Sequence, residues 1–268
     1  MEKIVGFIGA GNMGQAIVGG IINSDLIPSS NIIMSDLYKP SLEKAKEKYS
    51  IEVTTENKVV AEKSDILVLA VKPNLYPMVI NEIKDIVKDN VIIVTIAAGK
   101  SIESTEKSFG RTLKVIRTMP NTPALVGEGM TAVCPNSLVT EDDVKEVCNL
   151  LSSFSKVEVV SEKLIDAVTS VSGSAPAYVY MFIEAMADAA VLQGMPRDKA
   201  YKFASQTVLG SAKMVLETGM HPGALKDMVC SPGGTTIEAV AELEANGFRS
   251  AVISAMNKCY EKSKFMSK

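Results

Sequence analysis

Ser231-Pro232-Gly233-Gly234-Thr235-Thr236-Ile237-Glu238 runs from a flexible turn into the start of a helix. Gly233 and Gly234 leave backbone N–H groups unshielded by any Cβ. A helix N-terminus with unspent N–H groups, at the positive end of the helix dipole, attracts a small carboxylate. Ser231, Thr235 and Thr236 add hydroxyls beside that anion site, able to donate or relay a proton. Thr235 followed by Glu238 also has the spacing of a capping box, with Ala239, Val240 and Leu243 continuing an apolar face. The stretch therefore reads as a site for a small carboxylate next to acid–base hydroxyls, or more plainly as a capped helix after a turn.

The other end of the chain carries Lys3-Ile4-Val5-Gly6-Phe7-Ile8-Gly9-Ala10-Gly11-Asn12-Met13-Gly14. A short apolar strand runs into G-x-G-x-x-G, and Ala16, Ile17, Val18, Ile21 and Ile22 continue as a buried helix. In this setting Gly9 makes the tight turn, Gly11 lets the backbone approach a pyrophosphate, and Gly14 allows close helix–strand packing. Asn12 and Met13 lie in the first helical turn, and Ser35 and Asp36 close the next strand, Ile32-Ile33-Met34. The pattern predicts dinucleotide binding. Three more strand ends point into the same crevice: Ala70-Val71-Lys72-Pro73-Asn74, Ile96-Ala97-Ala98-Gly99, with small residues where a flat ring fits, and Met119-Pro120-Asn121-Thr122-Pro123.

Elements to hold these segments alternate over the first half. Candidate strands fall at 3–8, 32–35, 51–53, 66–71, 91–96, 113–117, 130–134 and 156–160. Helical patterns fall at 12–23, 40–49, 56–63, 74–88, 101–108 and 140–152. Ile66-Leu67-Val68-Leu69-Ala70-Val71 is continuously apolar, which predicts a parallel sheet covered on both faces. After Val160 helices replace strands, at about 162–171, 175–193, 197–217, 236–246 and 248–265. The expected fold is α/β: a doubly wound, Rossmann-type sheet over 1–161 and an all-α dimerisation domain over 162–268. Helix 175–193 is apolar nearly all round, so it must be covered on every side, and a second subunit is the natural cover.

Composition sets the surroundings. The chain has 268 residues, 22% charged and 47% hydrophobic, as a globular protein of one large or two small domains would. A net charge of −3 gives no reason to expect nucleic acid or an anionic membrane as partner. No unbroken apolar run reaches the roughly 18 residues of a membrane span, and the first strand leaves no room for a signal peptide. Cys134, Cys148, Cys230 and Cys259 are widely spaced, as reduced thiols of a cytoplasmic protein would be. With His221 the only histidine, no metal site and no histidine-based triad is expected.

These motifs together resemble the pyrroline-5-carboxylate reductase family along nearly the whole chain. The resemblance rests on Phe7–Gly14, Ala70-Val71-Lys72-Pro73, Arg117–Pro123, Ser172-Gly173-Ser174 and, most specifically, His221–Asp227 running on to Ser231–Thr236. It implies reduction of the cyclic imine L-1-pyrroline-5-carboxylate to L-proline, the last step of proline biosynthesis, by hydride transfer from NADPH or NADH. It implies a helical domain that dimerises, with dimers sometimes joined into decamers. It also implies that Asn57 contacts the adenosine ribose and that Thr236, the candidate catalytic residue, lies near the imine nitrogen. Met228 departs from the family pattern, where some members carry asparagine.

Asp36 bears on cofactor choice. An acidic group closing the second strand accepts both ribose hydroxyls, and faces a 2′-phosphate as a like charge. At about 4 Å and an effective dielectric near 20, that repulsion reaches roughly a few kcal/mol. Lys39 and Ser35 offset part of it, so Asp36 leans the expectation toward NADH without making it exclusive; the alternative is that Asp36 faces solvent or caps the following helix. β-Hydroxyacid dehydrogenases share the two-domain plan but use a lysine near the start of the long inter-domain helix, and 172–180 contains none. A non-catalytic NAD(P)H sensor would need no anion-binding turn.

Overall fold

The computed structural model describes residues 3–266. By packing, it divides into one unit of Met1–Ser174 with Cys259–Lys268, and a second of Ala175–Lys258. Residues 162–174 thus pack with the sheet, although their composition had grouped them with the later helices.

The first unit alternates β1 (Val5–Ile8), α1 (Asn12–Asn23), β2 (Ile32–Ser35), α2 (Lys39–Tyr49), β3 (Glu52–Thr54), α3 (Asn57–Lys63), β4 (Ile66–Leu69), α4 (Tyr76–Ile83), β5 (Ile92–Thr95), α5 (Ile102–Phe109), β6 (Lys114–Met119), β7 (Gly129–Pro135), α6 (Glu141–Ser152), β8 (Ser155–Val159) and α7 (Ile165–Val168). The strands form one sheet in the order β3-β2-β1-β4-β5-β6-β7-β8. Order reverses between β1 and β4, the crevice where a doubly wound sheet binds ligands. The central strands are apolar on both sides because helices cover both faces. Phe7, Ile17, Met34, Val68 and Val94 pack in one layer, and Ile33, Leu67, Ile80, Ile93 and Val115 in the other.

The sheet is not wholly parallel, as the apolar runs had suggested. β7 pairs antiparallel with β6, while β8 is parallel to β7. Only a 3-10 turn at Thr122–Val126 joins β6 to β7, too short a connection for a parallel crossover. The helix expected at 74–88 is a 3-10 turn at Pro73–Leu75 followed by α4. That at 162–171 is broken into a 3-10 turn, α7 and a π-turn at Thr169–Gly173.

Ion pairs pin the edges. Asp65 lies below the usual carboxylate range: burial alone would raise it, but hydrogen bonds from Lys88 and the Ile4 N–H and the charges of Lys88 and Lys3 outweigh burial. Asp143 is held down in the same way. Burial opposes Lys114 and the Thr140 N–H and hydroxyl, and these win. Thr140 and Asp143 form the capping box that starts α6. Arg117 is 4% exposed and donates to Glu162 Oε1 at 2.8 Å. The same oxygen accepts the Ile102 N–H at 2.8 Å, so one carboxylate ties β6 to the start of α5.

The second unit contains α8 (Ala175–Leu192), α9 (Arg197–Thr218), α10 (Pro222–Val229), α11 (Thr235–Ala245) and most of α12 (Phe248–Met266). α10 was missed in the sequence because Pro222 and Gly223 read as loop; His221 caps it by accepting the Gly223 N–H on Nδ1 at 3.0 Å. In α8 only Ala187 is buried, and Tyr180 and Met181 are exposed. This chain alone therefore leaves the apolar helix largely uncovered. The helical stretch Glu162–Leu192 contains an 18-residue window long and apolar enough to span a membrane by length and composition, with 6% of it buried. Glu184 and Asp188 interrupt α8, and Asp188 pairs with Arg197.

Candidate functional site

A cavity of about 380 Å³ opens in the first unit at the carboxyl ends of β1, β2 and β4. It brings together eight of the expected cofactor residues: Gly9, Gly11, Ser35, Asp36, Asn57, Ala70, Val71 and Lys72. The turn beneath it is shaped by sterics. Gly9 sits at φ +113°, where an added Cβ would lie 2.5 Å from the Ala70 oxygen. A Cβ on Gly14 would lie 2.4 Å from the Gly9 oxygen, so α1 can approach β1 only with glycine there. A Cβ on Gly11 would meet nothing within 4 Å. Gly11 is therefore not required by the protein's own packing, and the open space above it is what a pyrophosphate needs.

Gly11 is the N-cap of α1, without a side-chain cap and without an acidic residue in the first turn. Asn12, Met13 and Gly14 thus begin a helix whose first N–H groups suit a phosphate. These three residues, Pro73, Ala97 and Ala98 are not in the wall of this cavity. Pro73 opens the 3-10 turn after Lys72, and buried Ala97 with half-buried Ala98 follows β5. Tyr76 fixes the neighbouring strand end. Its hydroxyl donates to the Leu69 oxygen at 2.8 Å, and burial pushes the phenol well above its ordinary range.

Asp36 does more than the sequence suggested. Its Oδ2 accepts the Ala10 N–H at 2.7 Å, and its Oδ1 accepts the Tyr38 N–H at 2.8 Å, just ahead of α2. The carboxylate thus clamps the glycine turn while lining the cavity. Each oxygen keeps a lone pair for a further donor. Ser35 donates to Asn57 Oδ1 at 2.8 Å. Besides buried Ile8 and Val79, four exposed side chains complete the wall: Leu37, Tyr38, Leu75 and Met78. These apolar residues escaped the sequence reading; their signal was a pair of large side chains directly after an acidic strand end. Asn121 is spent on structure: Nδ2 donates to the Ser172 oxygen at 3.0 Å and Oδ1 accepts the Met130 N–H at 2.9 Å.

In the second unit, Gly233 takes φ +65° and the Gly234 N–H closes a turn on the Ser231 oxygen at 3.0 Å. The expected Thr235–Glu238 capping box is not formed. Gly234 is itself the N-cap, without a side-chain cap, because the closed turn carries its extended backbone directly into α11. Thr235 therefore begins the helix, and its hydroxyl is displaced from the capping position. The consequence favours the anion reading: the first N–H groups of α11 are not consumed by a side chain. Ser231, Gly233 and Thr235 are exposed, and Gly234 and Thr236 are half-buried.

Comparison with known proteins is consistent across the chain. Residues 162–266 match the model for pyrroline-5-carboxylate reductase dimerisation. Residues 4–99 match a model described as NADP oxidoreductase, coenzyme F420-dependent. The chain is 54% identical over 271 residues to pyrroline-5-carboxylate reductase of Escherichia coli strain K12, covering all of both chains. Its fold is similar to that of the Coxiella burnetii pyrroline-5-carboxylate reductase, with 34% identity, full coverage of both chains and a TM-score of 0.93. It is also similar to the Plasmodium falciparum pyrroline carboxylate reductase solved with NADP bound, at 35% identity and a TM-score of 0.91, covering 100% of this chain and 99% of that one.

Proposed function

Because the chain belongs to the pyrroline-5-carboxylate reductase family, we infer that it reduces L-1-pyrroline-5-carboxylate to L-proline, the last step of proline biosynthesis. The observation that carries this reading is the combination of a fitted dinucleotide turn with an uncapped, hydroxyl-rich helix start at Gly234. When bound, NADPH or NADH supplies a hydride from nicotinamide C4 to the imine carbon C5.

The chain's own residues bind and orient. Gly9, Gly11 and the first turn of α1, with Asn12, Met13 and Gly14, hold the pyrophosphate. Ser35, Asp36 and Asn57 hold the adenosine ribose, and Ala70, Val71, Lys72, Pro73, Ala97 and Ala98 line the path toward the nicotinamide. The N–H groups after Gly233 and Gly234 hold the substrate carboxylate, with the Ser231 and Thr235 hydroxyls beside it. Thr236 orients the imine and gives or relays a proton to its nitrogen. An imine that arrives already protonated needs less of that help, so positioning carries more of the rate than acid catalysis.

Homo-oligomerisation belongs to this reading, supported by the match of 162–266 to a dimerisation model and by the uncovered α8. The functional division is a dinucleotide-binding segment 1–161 and a helical dimerisation and substrate segment 162–268. We place the protein in the cytoplasm as a homodimer that can build a decamer, acting on a small molecule rather than on nucleic acid or membrane. Four unpaired thiols support a reducing compartment. Asp36 supports NADH being at least as good a cofactor as NADPH.

The test is oxidation of NADH and NADPH that depends on pyrroline-5-carboxylate, with proline identified as product. Cofactor oxidation without proline, or none with folded protein, overturns the reading.

A further inference from the structure

The turn after β5, Ala97-Ala98-Gly99-Lys100-Ser101, is held from two directions within the first unit. Glu162 Oε1 accepts the Ile102 N–H at 2.8 Å and is itself fixed by buried Arg117. Gly99, at φ +74°, lies against the last turn of α12: a Cβ there would stand 2.9 Å from the Met266 carbonyl oxygen and 3.2 Å from the Met266 Cβ. Past buried Ala97, the turn's own side chains do little to fix it. Ala98 and Gly99 carry no polar side-chain group, and the Ser101 hydroxyl is spent on accepting the Ser104 N–H at 3.0 Å, capping α5. Glycine at positive φ is also the most permissive backbone in the turn. The hold on Gly99 therefore comes from outside.

That contact is one of three along a single face of α12. Cys259, Ser263 and Met266 stand at i, i+4 and i+7, a stripe about 10 Å long. All three belong to the packing unit of the sheet. The Cys259 thiol donates to Ser174 Oγ at 3.1 Å. Ser263 is buried and donates to Asp166 Oδ1 of α7 at 2.6 Å. Met266 then meets Gly99. The end of the chain is thus a strap that runs past α7 to the β5–α5 turn. Phe265 and Met266 are 71% and 50% exposed, so the last turn buries little apolar side chain. What it supplies is backbone contact with Gly99.

We propose that the last turn of α12, Ser263–Met266, is a positioning element for the nicotinamide, acting through Gly99 to hold Ala97 and Ala98 in place. This rests on the reading of Ala97 and Ala98 as nicotinamide wall given above. The adenosine and pyrophosphate groups are assigned to the turns after β1 and β2 and should not sense the strap. Hydride transfer should, because a misplacement of about 1 Å costs up to roughly 10²-fold in rate.

The test is a chain ending at Lys264, which removes Phe265 and Met266 and leaves Ser263 on Asp166. Single-turnover reduction of pyrroline-5-carboxylate should slow about tenfold. NADH should bind about threefold more weakly, while ADP-ribose, which lacks the nicotinamide, should stay within about twofold of wild type. An unchanged rate overturns the proposal. So does equal weakening of NADH and ADP-ribose, which assigns the effect to general loosening of the sheet unit. Gly99→Ala checks the contact itself. In the full chain its methyl meets Met266; in the shortened chain only the strain of positive φ remains, so the substitution should slow hydride transfer by a smaller factor there. Equal factors in the two chains overturn the coupling. If the shortened chain does not fold, Ser263→Ala, which releases the strap one turn earlier, decides by the same split between NADH and ADP-ribose. Wild-type protein that binds neither ligand instead defeats the cofactor-site reading beneath it.

Discussion

Asp36 and Ala10 are joined by a 2.7 Å hydrogen bond from the glycine-turn N–H to carboxylate Oδ2. The residue proposed to read the ribose thus also holds the turn proposed to receive the pyrophosphate. Replacing it has two effects. Asp36→Ser should shift kcat/KM toward NADPH by relieving like-charge repulsion, and should also weaken both cofactors and lower the melting temperature by unclamping the turn. Asp36→Asn keeps one oxygen acceptor and should retain more of the stability. Measuring both cofactors and the thermal midpoint on each variant separates the roles. A shift in preference without loss of stability would show that the clamp is dispensable.

The two glycines of the turn should fail differently. Gly14→Ala puts a methyl only 2.4 Å from the Gly9 oxygen, so the folded state itself should suffer, by about 1–3 kcal/mol as for overpacking. Gly11→Ala meets nothing within 4 Å, so the melting temperature should hold while dinucleotide affinity falls. Equal loss of stability in both variants would contradict this division between packing and ligand clearance.

Acid should loosen the sheet unit first at its clamped carboxylates. Asp65 and Asp143 are both held below their ordinary values. A depressed carboxyl stabilises the fold fully above its unfolded pKa, about 4, and that contribution is lost as pH falls through the folded value. Chemical denaturation from pH 7 down to 3 should therefore show stability falling below about pH 4, with a shallower fall in Asp143→Asn. An identical fall in that variant would remove Asp143 from the account.

Buried Cys134 should resist thiol reagents. Burial pushes its thiol up to about 11, so thiolate is scarce near neutrality. Mass spectrometry after alkylation at pH 7.5 should find Cys134 unmodified in native protein and modified in denaturant. Rapid native labelling would indicate that the β6–β7 layer opens.

Thr236→Ala should lower kcat by about 10- to 100-fold with dinucleotide binding intact, the smaller figure if the substrate arrives protonated. Thr236→Ser should keep more activity than the alanine variant. Wild-type kcat in Thr236→Ala would remove the residue from the mechanism.

The glycine turn, the doubly wound sheet and the turn leading into a helix at Thr235 were legible because each rests on local chemistry: glycines at fixed offsets, apolar runs and a Pro-Gly-Gly turn. The reversal at β7 was not, because strand direction there depends on the short path from β6 through Thr122–Val126. The capping box at Thr235 looked right by spacing and was overridden by the turn that closes on Ser231. Asp36's clamp on Ala10 and Glu82's hold on Asn57 link residues 26 and 25 positions apart, and no local pattern announces such a pair.

The central claim is hydride transfer to C5 of a pyrroline-5-carboxylate held at the Ser231–Thr236 turn. The most direct measurement is a single-turnover reaction with NADH or NADPH deuterated at C4 on the transferred face, followed by mass and NMR analysis of the product. The account predicts L-proline carrying one deuterium at C5, formed by wild type and more slowly by Thr236→Ala. Label lost to solvent, label at another carbon, or no proline from protein that binds the cofactor would contradict it.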